Sequence, residues 1–270
     1  MNSGEPGEPF SIESAFGKGR PALIVYLMAG YPDRQGSLEA LFAAARAGAD
    51  IIELGVPYAD ALADGPVIAN AASVAMSAAP EGFGLAETIE LAAEFISAQA
   101  SRKARFVPVL LMTYFNPLLR MGYRRAALQM REAKVSGVIV PDMPVEMAQP
   151  WLREAGELST VFMVAPTSTP ERMRKAAEHS VGFVYAVSTT GVTGERDKLP
   201  ADMGYMVSSM RAFTSLPIAL GFGIATPEHV VQAARIADGV IVGSACVRRQ
   251  HDPEALEAFV GELADALKTE

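Results

Sequence analysis

The stretch ADIIELGVPYADALADGPVIAN, Ala49 to Asn70, decides how the rest of the chain is read. It begins as an apolar run, Ile51-Ile52, and then sets one carboxylate, Glu53, where the pattern calls for another hydrophobe. Gly55, Pro57, Gly65 and Pro66 follow, and such punctuation marks a strand end and a tight loop. Two further carboxylates, Asp60 and Asp64, stand in that loop. A glutamate inside a buried strand is costly unless it is hydrogen-bonded or has a chemical role. Alone, Glu53 fits two readings: a rim carboxylate in water or paired with an arginine, or a group held there for chemistry.

Working outward, the same unit recurs. Ala22–Gly30 (ALIVYLMAG) is a continuous apolar run suited to a strand buried on both faces, and Ser37–Ala49 has apolar residues at helical spacing. Ser11–Gly19 reads as a short helix that plugs one end. Beyond the Glu53 strand, small-residue helical segments run to Ala98, with Ala86–Ala98 the clearest. Strands are then expected at Arg105–Tyr114, Gly137–Asp142, Thr160–Pro166, Gly182–Ser188, Leu216–Gly223 and Asp238–Ser244. Helices are expected at Tyr123–Lys134, Val145–Ala155, Pro170–His179, Met203–Thr214, Pro227–Ile236 and Pro253–Lys268. Eight strands alternating with helices can close into a (β/α)8 TIM barrel. An open doubly wound sheet is the main competitor, but it usually carries G-x-G-x-x-G after its first strand, and Gly30-Tyr31-Pro32-Asp33 stands there instead. The barrel is preferred, as one domain over residues 11–270 behind a flexible tail of residues 1–10.

Composition narrows the function. The chain has 270 residues, half of them apolar and a fifth charged, an ordinary globular balance. A net charge of −8 argues against nucleic acid, which needs a basic face. No apolar run approaches the roughly 20 residues of a membrane span. The first ten residues are acidic and rich in Gly and Pro, the wrong chemistry for a signal peptide. The single cysteine, Cys246, fits a reducing cytoplasm, where this chain is expected to work.

In a barrel the chemistry lies at the C-terminal ends of the strands. Carboxylates gather there: Glu53, Asp64 and Asp142. Glycines gather there too: Gly191 and Gly194, Gly221 and Gly223, then Gly243 followed by Ser244. Strand ends alone would account for glycines, but clustering on adjacent loops beside a hydroxyl favours a phosphate cradle built from backbone N–H groups. Tyr26, Met112, Tyr114, Ile139, Val164, Tyr185 and Phe222 fit either barrel core or pocket lining. None of the six lysines ends a strand, so Schiff-base chemistry is disfavoured. His179, His229 and His251 are far apart near helix ends and read as surface residues, leaving no expected metal site. What remains is carboxylate acid–base chemistry on a phosphorylated substrate.

The segments ELGVPYADALADGPVI, MTYFNPLLRMG, VIVPDMPVE, VYAVSTTGVTG, LGFGIATPEHV and DGVIVGSACV resemble, in order and spacing, the tryptophan synthase α subunit family. The resemblance implies a barrel that cleaves indole-3-glycerol phosphate to indole and glyceraldehyde 3-phosphate. It further implies delivery of indole to a β subunit, in an α2β2 assembly, that carries the pyridoxal phosphate; this chain would hold no cofactor. It makes Glu53 the general acid/base, Asp64 the acceptor of the indole N–H, and Tyr185 an active-site tyrosine. Gly194, Gly223, Gly243 and Ser244 resemble the phosphate cradle, while Tyr26, Met112, Tyr114, Ile139, Val164 and Phe222 would surround the indole. Thr193 lies in what resembles the lid, and Asp60 and Asn116 in what resembles the partner interface. Ala59 and Ala61 depart from the family's serine and proline, so weakened partner binding is expected. Two other readings stay open: a stand-alone indole-releasing lyase of specialised metabolism, and a non-catalytic phosphate-ligand-binding activator subunit.

Overall fold

A computed structural model describes residues 11–61, 64–78, 82–101, 105–187, 203–221 and 223–268; the expected tail, residues 1–10, lies outside them. Among the described residues nine strands form one sheet: β1 (Ala22–Met28), β2 (Ile51–Gly55), β3 (Val109–Met112), β4 (Gly137–Ile139), β5 (Ser159–Val161), β6 (Met163–Val164), β7 (Val184–Val187), β8 (Ile218–Gly221) and β9 (Gly239–Val242). Their order is β5-β4-β3-β2-β1-β9-β8-β7-β6, with every neighbouring pair parallel. The two outermost members, β5 and β6, are successive pieces of one run parted only by Phe162, and this closes the sheet into a barrel. The run expected as a single strand is broken there because the Phe162 N–H turns to Ser180 Oγ at 3.1 Å.

Strands carry two buried faces because each is covered twice. All seven residues of β1 are buried. Leu23, Val25 and Leu27 pack outward under the helices, whereas Ile24 joins Ile51, Leu110, Ile139, Phe183 and Ile241 inside the barrel. Helix starts follow local chemistry. Thr169-Pro170, Thr226-Pro227 and Asp252-Pro253 each pair a side-chain N-cap with proline in the first turn, where its missing N–H is not needed. Pro170–His179 begins and ends where the sequence places it. Tyr123–Lys134 stands as Tyr123–Glu132, two residues shorter, and a helix the sequence reading did not expect, Phe115–Met121, precedes it across Gly122 with φ +85°.

The N-terminal segment plugs the bottom of the barrel as expected, although only as the 3-10 turn Glu13–Ala15. Ile12 and Ala15 are buried with the interior residues, and the Phe16 ring lies 5.6 Å from that of Phe183. Beside the plug sits a group the sequence reading passed over. Asp50, 1% exposed, accepts from Lys18 at 3.0 Å, Arg20 at 2.7 Å, Arg105 and the Leu23 N–H at 2.9 Å. Burial alone would raise its pKa, but the bonds from Arg20, Leu23 and Lys18 and the Arg20 charge hold it below the ordinary 3.8.

A depressed carboxylate pKa stabilises the fold above the ordinary value, and that contribution is lost as pH falls through the lower folded-state value. Asp50→Ala should therefore cost on the order of 3 kcal/mol in urea denaturation near neutral pH. The gap to wild type should narrow as pH falls below the ordinary carboxylate value of 3.8. A gap that stays constant over that range would show that packing, not charge, holds this end together.

Candidate active site

Strand β2 alternates: Ile52 and Leu54 face the helices, so Ile51 and Glu53 face the barrel interior. Glu53 is 0% exposed, and neither carboxylate oxygen has a hydrogen-bond partner among the described residues. Burial, with the nearby Asp64 charge adding to it, raises its pKa to about 8. At neutral pH it is therefore mostly a carboxylic acid. The tyrosine next to it in register is Tyr26 of β1. Its hydroxyl occupies the space over Gly55, where a Cβ would come within 2.1 Å of it. Tyr185 of β7 uses Gly221 in the same way, with 2.6 Å to a Cβ there. Gly221 thus belongs to strand β8 and makes room for a tyrosine, which corrects its reading as a phosphate-loop glycine. Burial, and then the carboxylate charges, push both phenols well above 10, so they stay protonated.

Asp64 stands half-buried at the rim, its Oδ1 accepting from the Tyr114 hydroxyl at 3.1 Å. Burial raises its pKa to about 6, and the Tyr114 hydrogen bond restrains that rise. Two neighbouring carboxyl groups with pKa values near 8 and 6 have the character of an acid and an anion held together.

Met112 and Ile139 face inward as expected, with Tyr26, Tyr114 and Tyr185 buried at the same mouth. Val164 does not: it packs in the outer core, and Met163, in register with Tyr185, faces inward instead. The period-two alternation from Val161, which points inward, held that signal and the choice of Val164 missed it. Asp142 caps rather than reacts, accepting the Phe115 N–H at 2.8 Å. His229 is buried, its Nδ1 near the Ala225 N–H at 3.4 Å, and so is not the surface residue expected. Gly223 follows β8 with φ +70°, and Gly243 caps the helix Ser244–Arg249 with no side chain. Thr193, Gly194 and Phe222 lie outside the described residues. Asp60 and Asn116 are exposed on the rim. Among the described residues no group of three or more His, Cys, Asp or Glu is arranged to hold a metal ion, and no helix is long and apolar enough to cross a membrane.

Comparison with known proteins adds an independent line. The family model of the tryptophan synthase alpha chain matches residues 12–268. The chain belongs to that family. Among its relatives, the tryptophan synthase alpha chain of Solibacter usitatus is 43% identical over 253 residues, covering 90% of this chain and 91% of the relative. That of Prochlorococcus marinus is 42% identical over 235 residues, covering 86% and 85%. Mycobacterium tuberculosis tryptophan synthase superposes with a TM-score of 0.85 at 38% identity, over 95% of this chain and 96% of that one. The tryptophan synthase subunit alpha of Legionella pneumophila gives 0.84 at 30% identity, over 96% and 97%.

A buried Glu53 carboxyl with no partner among the described residues has a measurable cost. A carboxyl whose folded pKa is raised binds its proton more tightly when folded, so stability falls as pH climbs from about 4.5 to about 8. Glu53→Gln removes that titration and keeps the shape. Its melting temperature should exceed that of the wild type by a margin that widens from pH 5 to pH 9, read by calorimetry. A margin independent of pH would mean that Glu53 titrates normally.

Proposed function

We propose that Glu53 and Asp64 cleave indole-3-glycerol phosphate to indole and glyceraldehyde 3-phosphate in this alpha chain, serving tryptophan biosynthesis. The observation that carries the reading is the carboxyl pair itself, one member buried with no partner among the described residues and inclined to be protonated, the other at the rim and inclined to be ionised. Glu53, as the acid, protonates indole C3. The positive charge that develops on the ring is stabilised by Asp64, which accepts the ring N–H. The resulting Glu53 carboxylate then takes the proton of the glycerol hydroxyl beside the scissile bond. The C–C bond breaks, its electron pair restores the indole ring, the aldehyde forms, and Glu53 ends protonated as it began. Tyr26, Met112, Ile139, Met163 and Tyr185 enclose the ring. Gly223, the Gly243-Ser244 turn and Gly194 hold the phosphate through backbone donors. One side chain moves every proton, so the route calls for no cofactor on this chain, and pyridoxal phosphate is assigned to the β partner. A single buried thiol, Cys246, suits a cytoplasmic setting.

The ionisation states fix the pH dependence. Cleavage needs Glu53 protonated and Asp64 ionised, so kcat/KM should rise through about pH 6 and fall through about pH 8. Glu53→Gln should lower indole release more than about a hundredfold and abolish the alkaline limb. An unshifted alkaline limb in that variant would remove Glu53 from the acid role.

The partner surface is proposed on the rim around Asp60 and Asn116. Ala59 and Ala61 leave the loop without a φ constraint, roughly 0.4–1 kcal/mol of ordering free energy, and without a hydroxyl hydrogen bond of about 1 kcal/mol. Restoring both, as Ala59→Ser with Ala61→Pro, should tighten binding to the β subunit from the same source about tenfold in titration. Equal affinity of the two forms would show that the partner already compensates.

A further inference from the structure

The loop that carries Asp64 is held at both ends by one short segment. That segment, Thr113 to Asn116, follows β3 and is itself anchored: the Thr113 N–H donates to Ile139 at 3.0 Å, the Phe115 N–H donates to Asp142 at 2.8 Å, and the Met112 carbonyl accepts from Val56 at 2.8 Å. At the loop's start, Asn116 Nδ2 donates to the Tyr58 hydroxyl at 3.0 Å. The Tyr58 and Tyr114 rings lie 5.4 Å apart at 31° between planes. At the loop's end, Tyr114 donates to Asp64 Oδ1 at 3.1 Å. The chain of contacts runs amide, phenol, ring on ring, phenol, carboxylate, with no break between the exposed rim and the reactive mouth.

We propose that Tyr58 and Asn116 are positioning residues for Asp64, acting through the ring and hydroxyl of Tyr114. The inference rests on the reading of Asp64 as acceptor of the indole N–H. A carboxylate accepts at both oxygens, and a donor fixed on Oδ1 leaves Oδ2 aimed for the ring nitrogen. Tyr114 can be such a donor only if its own ring is held, since rotation about the Cα–Cβ bond would swing the hydroxyl away. One wall of that slot is the Tyr58 ring, and a tilted ring pair at this separation favours a single arrangement. Tyr58 is half-exposed, so its ring would be free to turn without the Asn116 amide. Asn116 completes the support. This device also explains how a loop with alanine at 59 and 61 still presents its carboxylate: the order comes from the segment after β3, the strand paired directly with β2.

The test is indole release from indole-3-glycerol phosphate by the full-length chain, with kcat, KM and the pH profile measured separately. Tyr114→Phe removes the hydrogen bond that restrains the Asp64 pKa, so the acid limb should move upward and kcat should fall about tenfold. Tyr58→Leu should move the limb the same way with a fall in kcat of about threefold and KM changed less than about twofold. Tyr58→Phe and Asn116→Ala, which leave ring packing intact, should each lower kcat about twofold and together no further, because they break the same bond. Adding Tyr58→Leu to Tyr114→Phe should produce no further shift of the limb. An acid limb unmoved by Tyr58→Leu would overturn the proposal, as would a kcat unchanged by Asn116→Ala, or effects of Tyr58→Leu and Tyr114→Phe that simply add. Asp64→Asn separates the two levels: if it retains the wild-type rate and acid limb, the role of Asp64 itself fails, whatever the Tyr58 variants do.

Discussion

A carboxyl group with no hydrogen-bond partner among the described residues, enclosed by a barrel of aliphatic and aromatic side chains, is the constraint on which the rest of this molecule depends. Leaving Glu53 there is unfavourable, and the group responds by keeping its proton. The closed sheet makes this possible, because an open sheet would let water reach the strand's C-terminal end and restore an ordinary pKa. Closure depends in turn on β5 and β6 being one run that pairs with β4 on one side and β7 on the other. The glycines at 55 and 221 serve the same end. By admitting the Tyr26 and Tyr185 hydroxyls to positions that a side chain would block, they fill the mouth with large, protonated groups in place of solvent.

Three residues before Glu53, the same chain solves the opposite problem. Asp50 is as deeply buried, yet it is surrounded by Lys18, Arg20 and Arg105 and stays ionised. One end of the barrel therefore holds a carboxylate fully satisfied, and the other holds a carboxyl denied any partner. The contrast follows the division of labour common to this architecture, in which the N-terminal face of the strands supports stability and the C-terminal face supports chemistry. A buried charge with good partners contributes order. A buried acid without partners retains reactivity, and its cost is borne by the packing around it.

The rim joins these parts to what lies outside. Among the described residues, Asp64 is neither buried like Glu53 nor paired with a cation like Asp50; the Tyr114 hydroxyl holds its side chain. A group so placed titrates between the other two, with a pKa near 6. That difference from Glu53 lets two carboxyl groups adopt different protonation states at one pH. It also makes the arrangement sensitive to the loop that carries Asp64, which is the part of the chain that carries Ala59 and Ala61.

Much of this was legible in the sequence, because the relevant signals are local. Continuous apolar runs announce doubly covered strands, Thr-Pro and Asp-Pro announce helix starts, and a lone glutamate in an apolar strand announces itself by contrast. Glu53, Asp64, Tyr26, Met112, Ile139, Tyr114 and Tyr185 all come to one mouth. The choice of Val164 over Met163 failed on a signal that was present, the inward parity of alternate residues. Other features had no local signature. Asp50 meets Arg105 across 55 positions, Tyr114 meets Asp64 across 50, and Gly221 is occupied by a tyrosine from the neighbouring strand. The sequence by itself determined which residues could be charged and which elements would carry them. Only the tertiary structure decided which of those charges survive, because a pKa is set by the water excluded and the partners supplied by distant parts of the chain.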